Sequence, residues 1–552
     1  MRFTHSNIVA STATLLLLAS HCTQGAGEPC FARSFGQDSV VCVCSARGCD
    51  LPGRLTFPDP GHFTVVTSSR DGLRFHVETK EVDDFGEEQA EDPKGTTTIE
   101  VDLDDRRQVM LGFGAAFTDA SGINLAALSP DVREMALRSY FSPEGIEYDL
   151  SRVPIGSCDF SVKPYSYAEV EGDVKLEHFK LAQEDFLYKI PQLRRAQELS
   201  ERPLRVLGSP WSPPTWMKTN GKHNESGQLI REMWRPWADY LVKFVKAYEE
   251  EGVPIWGITT LNDPLSGFDP TYKWNSLGMT NESMRDWIKE SLGPAVEEAG
   301  LQDRLRVLIH DQSRDELSWY SHATLEDPDA ARHVSGVGVH WYADSQVGPG
   351  VLEEIHDSFP DKFLLYSEAC TGYDAPDDEK VLLGSWARAE SYAKNIIEDV
   401  NHWVTGWLDW NLALDTTGGP NWAANRVDAP VIVNSTADEF YKQPMFYALG
   451  HFSKFVPAGS VHVTSRVVKD GDDDGDDDSG GDDNNGDDDY NNGDDDDGDD
   501  GGGSDDSDDS DGDDSGGDDG DNDSNDSDGE DEIDGDVDGD SDGDSDSDGD
   551  GD

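Results

Sequence analysis

Basic residues are scarce in this chain of 552 residues: 43 Lys and Arg stand against 114 Asp and Glu, a formal charge of −71. So acidic a surface repels phosphate backbones, which excludes nucleic acid as a partner. The deficit is uneven. From Asp470 to Asp552 there is no Lys or Arg, and 44 of the acids fall there, leaving 70 acids against 43 bases, or −27, elsewhere. That final stretch also has almost no apolar side chains. Residues 470–552 cannot bury a core and are expected to be disordered. They hold no twelve-residue EF-hand loop ending in Glu, so only diffuse counterion binding is expected.

Long apolar runs are missing too. The longest, Ile8 to Ala19, follows Arg2 and gives way to small and polar residues up to Gly27. It is too short to cross a bilayer and reads as a secretory signal peptide, residues 1–26, with cleavage near Gly25 or Ala26. No membrane span is expected, and the mature chain should be luminal or secreted.

Cysteine is limited to seven residues, one of which, Cys22, leaves with the signal peptide. Cys30, Cys42, Cys44 and Cys49 crowd into residues 27–53. Four cysteines allow three pairings, and the neighbours Cys42 and Cys44 are too close to bond each other. That favours Cys30–Cys42 with Cys44–Cys49. Zinc is the alternative for such a cluster, but CxxC spacing is absent and the compartment is oxidising. Cys158 and Cys370 are expected to be free, buried thiols. No metal site and no cofactor are expected.

What is present is a change of grammar along the chain. Residues 54–104 alternate short polar and apolar segments, such as Phe63–Ser68 and Leu73–Glu78, and read as antiparallel strands of a partial β-sandwich. The acidic stretch Glu81 to Lys94 reads as a loop between them. From Gln108 short apolar runs alternate with amphipathic stretches such as Pro236–Glu251 and Ala387–His402. The runs are Val109–Gly114, Tyr148–Pro154, Leu204–Pro210, Ile255–Thr260, Leu305–His310, Ser335–His340, Phe363–Tyr366 and Val404–Trp410. Eight strand-then-helix units over residues 105–455 predict a (β/α)8 barrel.

In such a barrel the working face is the rim at the C-terminal strand ends. Read in order, that rim carries Asp159, Trp211, Asn262-Asp263, His340-Trp341-Tyr342, Glu368 and Trp410-Asn411. Aromatic platforms among amides and carboxylates suit a sugar, whose C–H face stacks while its hydroxyls need directed partners. Carboxylates from the fourth and seventh strands suit glycoside hydrolysis. Trp234, Trp237 and Trp403 lie away from strand ends and read as packing residues.

Several of these segments resemble one family. Gly112–Asp119, Cys158–Ser161, Ser209–Gly221, Val339–Tyr342, Ser367–Cys370, Asp409–Leu414 and Tyr441–Tyr447 are similar, in order, to the glucosylceramidases of glycoside hydrolase family 30, over roughly Glu28 to Ser460. The resemblance implies a retaining hydrolase of the β-glucosyl–ceramide bond. It implies Glu368 as nucleophile and Asp263 at the acid/base position. Asp159, Trp211, Asn262, Trp341, Trp410 and Asn425 would contact the sugar, Tyr342 would orient the nucleophile, and Tyr272 and Trp274 would form an aromatic lip. Arg152 and His340 would hold carboxylates in place. A glycosphingolipid drawn from a membrane surface, a saposin-type activator and a lysosomal or secreted location are implied as well. Asn224, Asn281 and Asn434 head Asn-x-Ser/Thr acceptor sequences for glycans.

The chain departs from the family in places. Asp263 stands where the family has Glu, and Leu261 replaces a preceding Glu. Asp is shorter by one methylene, about 1.5 Å, where retaining enzymes hold their carboxyls about 5–5.5 Å apart. His310 and Ser313 stand where the family has an acid and an Arg. The family's closing sandwich strands are replaced here by a short segment, 456–469, and the acidic stretch. The alternative these departures allow is an impaired or inactive sugar-binding relative.

Overall fold

The computed structural model describes residues 29–82 and 98–468. The expected signal peptide, most of the acidic Glu81–Lys94 loop and the Asp-rich stretch lie outside the described residues.

Eight parallel strands close into a barrel in chain order: β1 (Gly112–Ala116), β2 (Leu150–Ile155), β3 (Arg205–Pro210), β4 (Ile255–Thr259), β5 (Arg306–Ser313), β6 (Gly336–His340), β7 (Phe363–Glu368) and β8 (Val404–Asn411). Every residue of β1, β2, β6 and β8 is buried. That is the pattern of strands covered on both faces, and it explains why apolar residues and glycine predominate in them. Leu150, Leu207, Leu308, Leu365 and Leu408 form a separate cluster from β2, β3, β5, β7 and β8. They fill the barrel interior, so the polar residues at the strand ends rest on a packed apolar plug. Amphipathic helices Trp234–Glu250 and Trp386–Asn401 bury one face each against the outside of the strands.

Most strand limits lie within two residues of the sequence reading, and two differ by three. Val109 belongs to a separate strand, Thr98–Val109, and the barrel begins at Gly112. β5 runs on past His310 to Ser313. Close approach dictates small residues inside: a Cβ on Gly114 would stand 1.7 Å from the Leu150 carbonyl oxygen.

Residues 105–455 are not barrel alone. Val431–Asn434 and Glu439–Lys442 leave it to form a five-stranded sheet with Ala32–Arg33, Val41–Ser45 and Leu414–Asp415. That sheet is stapled by Cys30–Cys42 and Cys44–Cys49, and Cys158 and Cys370 are free and buried. Buried Lys442 reaches Asp50 at 3.2 Å across it. The potential ligand group Cys44, Cys49 and Asp50 contains two cysteines already joined to each other, which removes the zinc alternative there.

The strands read as a partial β-sandwich form two antiparallel ladders. His62–Thr67 pairs with His76–Glu81, and Thr98–Val109 pairs antiparallel with Val461–Val468. Ile99, Val101, Leu103 and Val467 remain exposed on the second ladder. No described helix is long and apolar enough to cross a membrane.

Candidate active site

Glu368 ends β7, and its two oxygens are held from different directions. The Arg152 guanidinium on β2 donates to Oε2 through Nη1, and the Tyr342 hydroxyl donates to Oε1 at 2.8 Å. Arg152 is fully buried, a position tolerable only with its charge paired and its N–H groups used. Nη2 donates to Asn262 Oδ1 at 2.6 Å and to Asp311 Oδ2 at 2.8 Å, and Nε donates to Ser209 Oγ at 2.9 Å. The indoles of Trp211 and Trp410 stack at 5.1 Å and 18°. The Arg152 guanidinium lies 4.8 and 5.4 Å from their ring centres, which adds cation–π contact.

Asp311 anchors the layer beneath. Besides Arg152 it accepts from Ser367 Oγ at 2.5 Å, and His340 Nε2 lies 3.3 Å away. Burial opposes its charge, but Arg152 and His340 outweigh burial and hold its carboxyl below the usual range. Gly338 makes the room: a Cβ there would come within 2.9 Å of Asp311 Oδ1 and 3.0 Å of Ser367 Oγ. His340 is fully buried, which lowers its pKa. The charges of Glu368, Asp263 and Asp311 raise it overall to about 10, so the ring is an imidazolium at neutral pH.

Asp263 follows β4 with φ at 44°, in the left-handed region that Asp enters more readily than most residues. Tyr272 donates to its Oδ2 at 3.2 Å, and Trp274 Nε1 donates to the Tyr272 hydroxyl at 2.7 Å. His340 Nδ1 stands 3.2 Å from Oδ1, an ion-pair contact off the line of a hydrogen bond. Opposite, Asp159 accepts from Asn425 Nδ2 at 2.8 Å and Asn421 Nδ2 at 3.1 Å. Burial raises Asp159 to about 7 against those amides, and the charge of Glu368 adds to the rise.

These groups enclose a cavity of about 200 Å3 walled by Asp159, Trp211, Asn262, Asp263, Glu368 and Trp410, with Trp274, Tyr342 and Asn425 at its sides. It is smaller than the roughly 300–1,000 Å3 of drug-sized sites, and its stacked indoles ringed by carboxylates and amides suit one sugar ring.

Residues 110–456 match the glycosyl hydrolase family 30 TIM-barrel domain. The chain belongs to glycoside hydrolase family 30. It is 43% identical over 441 residues to the lysosomal acid glucosylceramidase of Mus musculus, covering 79% of this chain and 84% of that protein. It is 42% identical over 431 residues to putative glucosylceramidase 3 of Caenorhabditis elegans, covering 78% and 82%. Among solved structures, SrfJ from Salmonella typhimurium superposes with a TM-score of 0.66 at 26% identity, covering 74% of this chain and 87% of that one. This family 30 chain is a glycosidase, and the comparisons lend no support to an inactive sugar-binding relative.

Within the family 30 frame, one residue of the site escapes a reading of aligned letters. His310 stands where the family has an acid, yet the acid is not lost: Asp311 supplies it. His310 and Asp311 have successive positive φ values of 71° and 53°, and the β5–β6 register slips between His310 and Gln312. The bulge turns Asp311 beneath Arg152. His310 packs against Tyr320 and bonds the Gly338 carbonyl through Nδ1 at 3.0 Å, its pKa lowered to about 4 mainly by burial. Ser313 is followed by Arg314, which is buried away from the cavity and donates to Glu398 at 2.9 Å and Asp399 at 2.6 Å.

Trp341 is not on the cavity wall. It sets its edge against Tyr392 at 5.3 Å and lines a neighbouring cleft with Asp344 and Tyr373. Tyr272 reaches the site through its hydrogen bond to Asp263 and is not part of the wall. Cys370, Tyr373 and Val427 complete the wall and were not anticipated. Cys370 sits two residues after Glu368, an alternation that points both side chains the same way. Of the glycan acceptor sequences, Asn224 lies on a rim loop, Asn281 opens helix Asn281–Trp287, and Asn434 ends a strand with Nδ2 on Tyr441 at 2.9 Å.

Proposed function

We propose that this chain hydrolyses the β-glucosyl bond of glucosylceramide with retention, releasing glucose and ceramide. The observation that carries this reading is the pairing of Glu368 and Asp263 on one sugar-sized cavity. Glu368, held by Arg152 and Tyr342, attacks the anomeric carbon. As the bond to the ceramide oxygen breaks, Asp263 gives that oxygen its proton. Asp263, now a carboxylate, takes a proton from water. The water oxygen displaces Glu368 from the sugar, restoring both groups. Trp211 and Trp410 offer the stacking floor, and Asp159, Asn262 and Asn425 the hydroxyl partners. Arg152 and the His340 imidazolium set positive charge beside the Glu368 nucleophile.

The names of the mouse and nematode relatives support the lipid substrate, and the mouse name supports a lysosomal destination. With that substrate come a membrane surface and a saposin-type activator as partners. The test is hydrolysis of glucosylceramide in mixed micelles at acidic pH, with the anomer first released followed by NMR. Initial release of β-glucose supports the reading. Initial α-glucose, or cleavage only of β-1,6-glucan chains, contradicts it.

A further inference from the structure

Asp263 is one methylene short for its position, and its surroundings contain a chain of donors with a fixed direction. An indole N–H can only donate. Trp274 Nε1, 2.7 Å from the Tyr272 hydroxyl, therefore makes that oxygen an acceptor. The single Tyr272 proton is left to point elsewhere, and Asp263 Oδ2 lies 3.2 Å away. The polarity Trp274 to Tyr272 to Asp263 thus follows from the chemistry of the groups, and such chains strengthen each member.

The segment that carries the two rings is fastened to the facing rim loop on both sides of Trp274. Glu225 N donates to the Tyr272 carbonyl at 3.1 Å and Asn224 Nδ2 to the Lys273 carbonyl at 3.2 Å. Ser276 N donates to the His223 carbonyl at 3.0 Å, and Nζ of the buried Lys218 donates to the Ser276 carbonyl at 2.6 Å. Tyr272 and Trp274 also touch each other, ring centres 4.8 Å apart.

We propose that Trp274 and Tyr272 form a positioning pair that aims the short Asp263 carboxyl toward the glycosidic oxygen, holding Oδ2 from the rim while His340 stands beside Oδ1. The pair compensates for lost reach with fixed orientation. This deepens the proposed reaction and rests on Asp263 as its acid/base group.

The test compares two substrates on the secreted full chain: octyl β-glucoside, whose leaving oxygen needs a proton, and 2,4-dinitrophenyl β-glucoside, whose leaving oxygen does not. Trp274→Phe keeps a ring and removes the N–H, and Tyr272→Phe keeps the ring and removes the hydroxyl. For each variant the loss in kcat/KM on the octyl substrate should exceed that on the dinitrophenyl substrate by about fivefold or more. The double variant should be no worse than Tyr272→Phe alone, because Trp274 acts through Tyr272. Equal losses on both substrates, or losses that multiply in the double variant, overturn the pairing and leave the rings as a binding lip. Asp263→Asn tests the underlying reading separately. Azide should rescue its turnover of the dinitrophenyl substrate and yield glucosyl azide. If azide does nothing, Asp263 is not the acid/base group, whatever the pair does.

Discussion

The Glu368 side chain is 8% exposed and touches Arg152, itself fully buried and bonded in turn to Asn262, Asp311 and Ser209. The Asp263 side chain is 27% exposed, stands on a left-handed backbone, and has contacts of 3.2 Å on each oxygen. One carboxylate is built into the barrel and the other is leaned on by a rim loop. The division suits their tasks. A nucleophile must sit at one point in space, and its charge is stabilised by partners that do not move. A group that donates and then accepts a proton passes through two charge states, and too many fixed donors would freeze it in one.

The comparison breaks most severely at Arg152. Arg152→Met removes the cation that Glu368 and buried Asp311 share, which should cost about 3–5 kcal/mol of stability and reduce turnover at least about 100-fold. A denaturant titration alongside kcat/KM checks both, and a variant as stable as the parent would refute the clamp. The next largest effect should come from the opposite wall. Asp263→Glu restores the missing reach, and turnover of glucosylceramide should rise, by up to about 100-fold, and by more than that of an activated aryl glucoside. Equal change on both substrates would show that reach is not limiting. Tyr342→Phe removes one of the two donors on Glu368. A hydrogen bond to a charged group is worth about 1.5–3 kcal/mol, so turnover should fall about tenfold or more.

The smallest predicted effect is on stability against pH. Asp159 and Asp344 are both raised to about 7, chiefly by burial. Both titrate near 4 when unfolded. Between those values the folded protein binds more protons, so stability falls as pH rises from about 4 through 7. His340 acts in the same direction, since its raised pKa stabilises fully below about 6.5, a benefit lost as pH approaches 10. Tm should be a few degrees higher at pH 5 than at pH 8, and Asp159→Asn should flatten part of the slope. A Tm that rises with pH would contradict these assignments.

The barrel was legible because each strand is a short apolar run ending in polar residues, and the order of runs is the order of strands. Glu368, Asp159, Trp211, Asn262 and Trp410 were legible for the same reason: each stands at the C-terminal end of such a run or shortly past it. Asp311 and Arg314 were not, because the two positive φ values in β5 break the two-residue period on which a strand reading depends. Trp341 keeps its place at the end of β6 but turns toward Tyr392, a choice of rotamer that no letter records. The pairing of Val461–Val468 with Thr98–Val109, and of Glu439–Lys442 with the cysteine-bearing strand, joins segments hundreds of residues apart. Local pattern carries no signal for such contacts.

In the proposed reaction Glu368 is the carboxylate that bonds the sugar, while Asp263 handles the proton. A 2-deoxy-2-fluoroglucoside with a good leaving group slows both steps yet still forms the covalent ester, which peptide mass spectrometry can then locate. One equivalent of fluoroglucosyl is expected on the peptide containing Glu368, absent in Glu368→Gln and still formed in Asp263→Asn. Label on any other residue, or a Glu368→Gln protein that keeps its turnover, would contradict it.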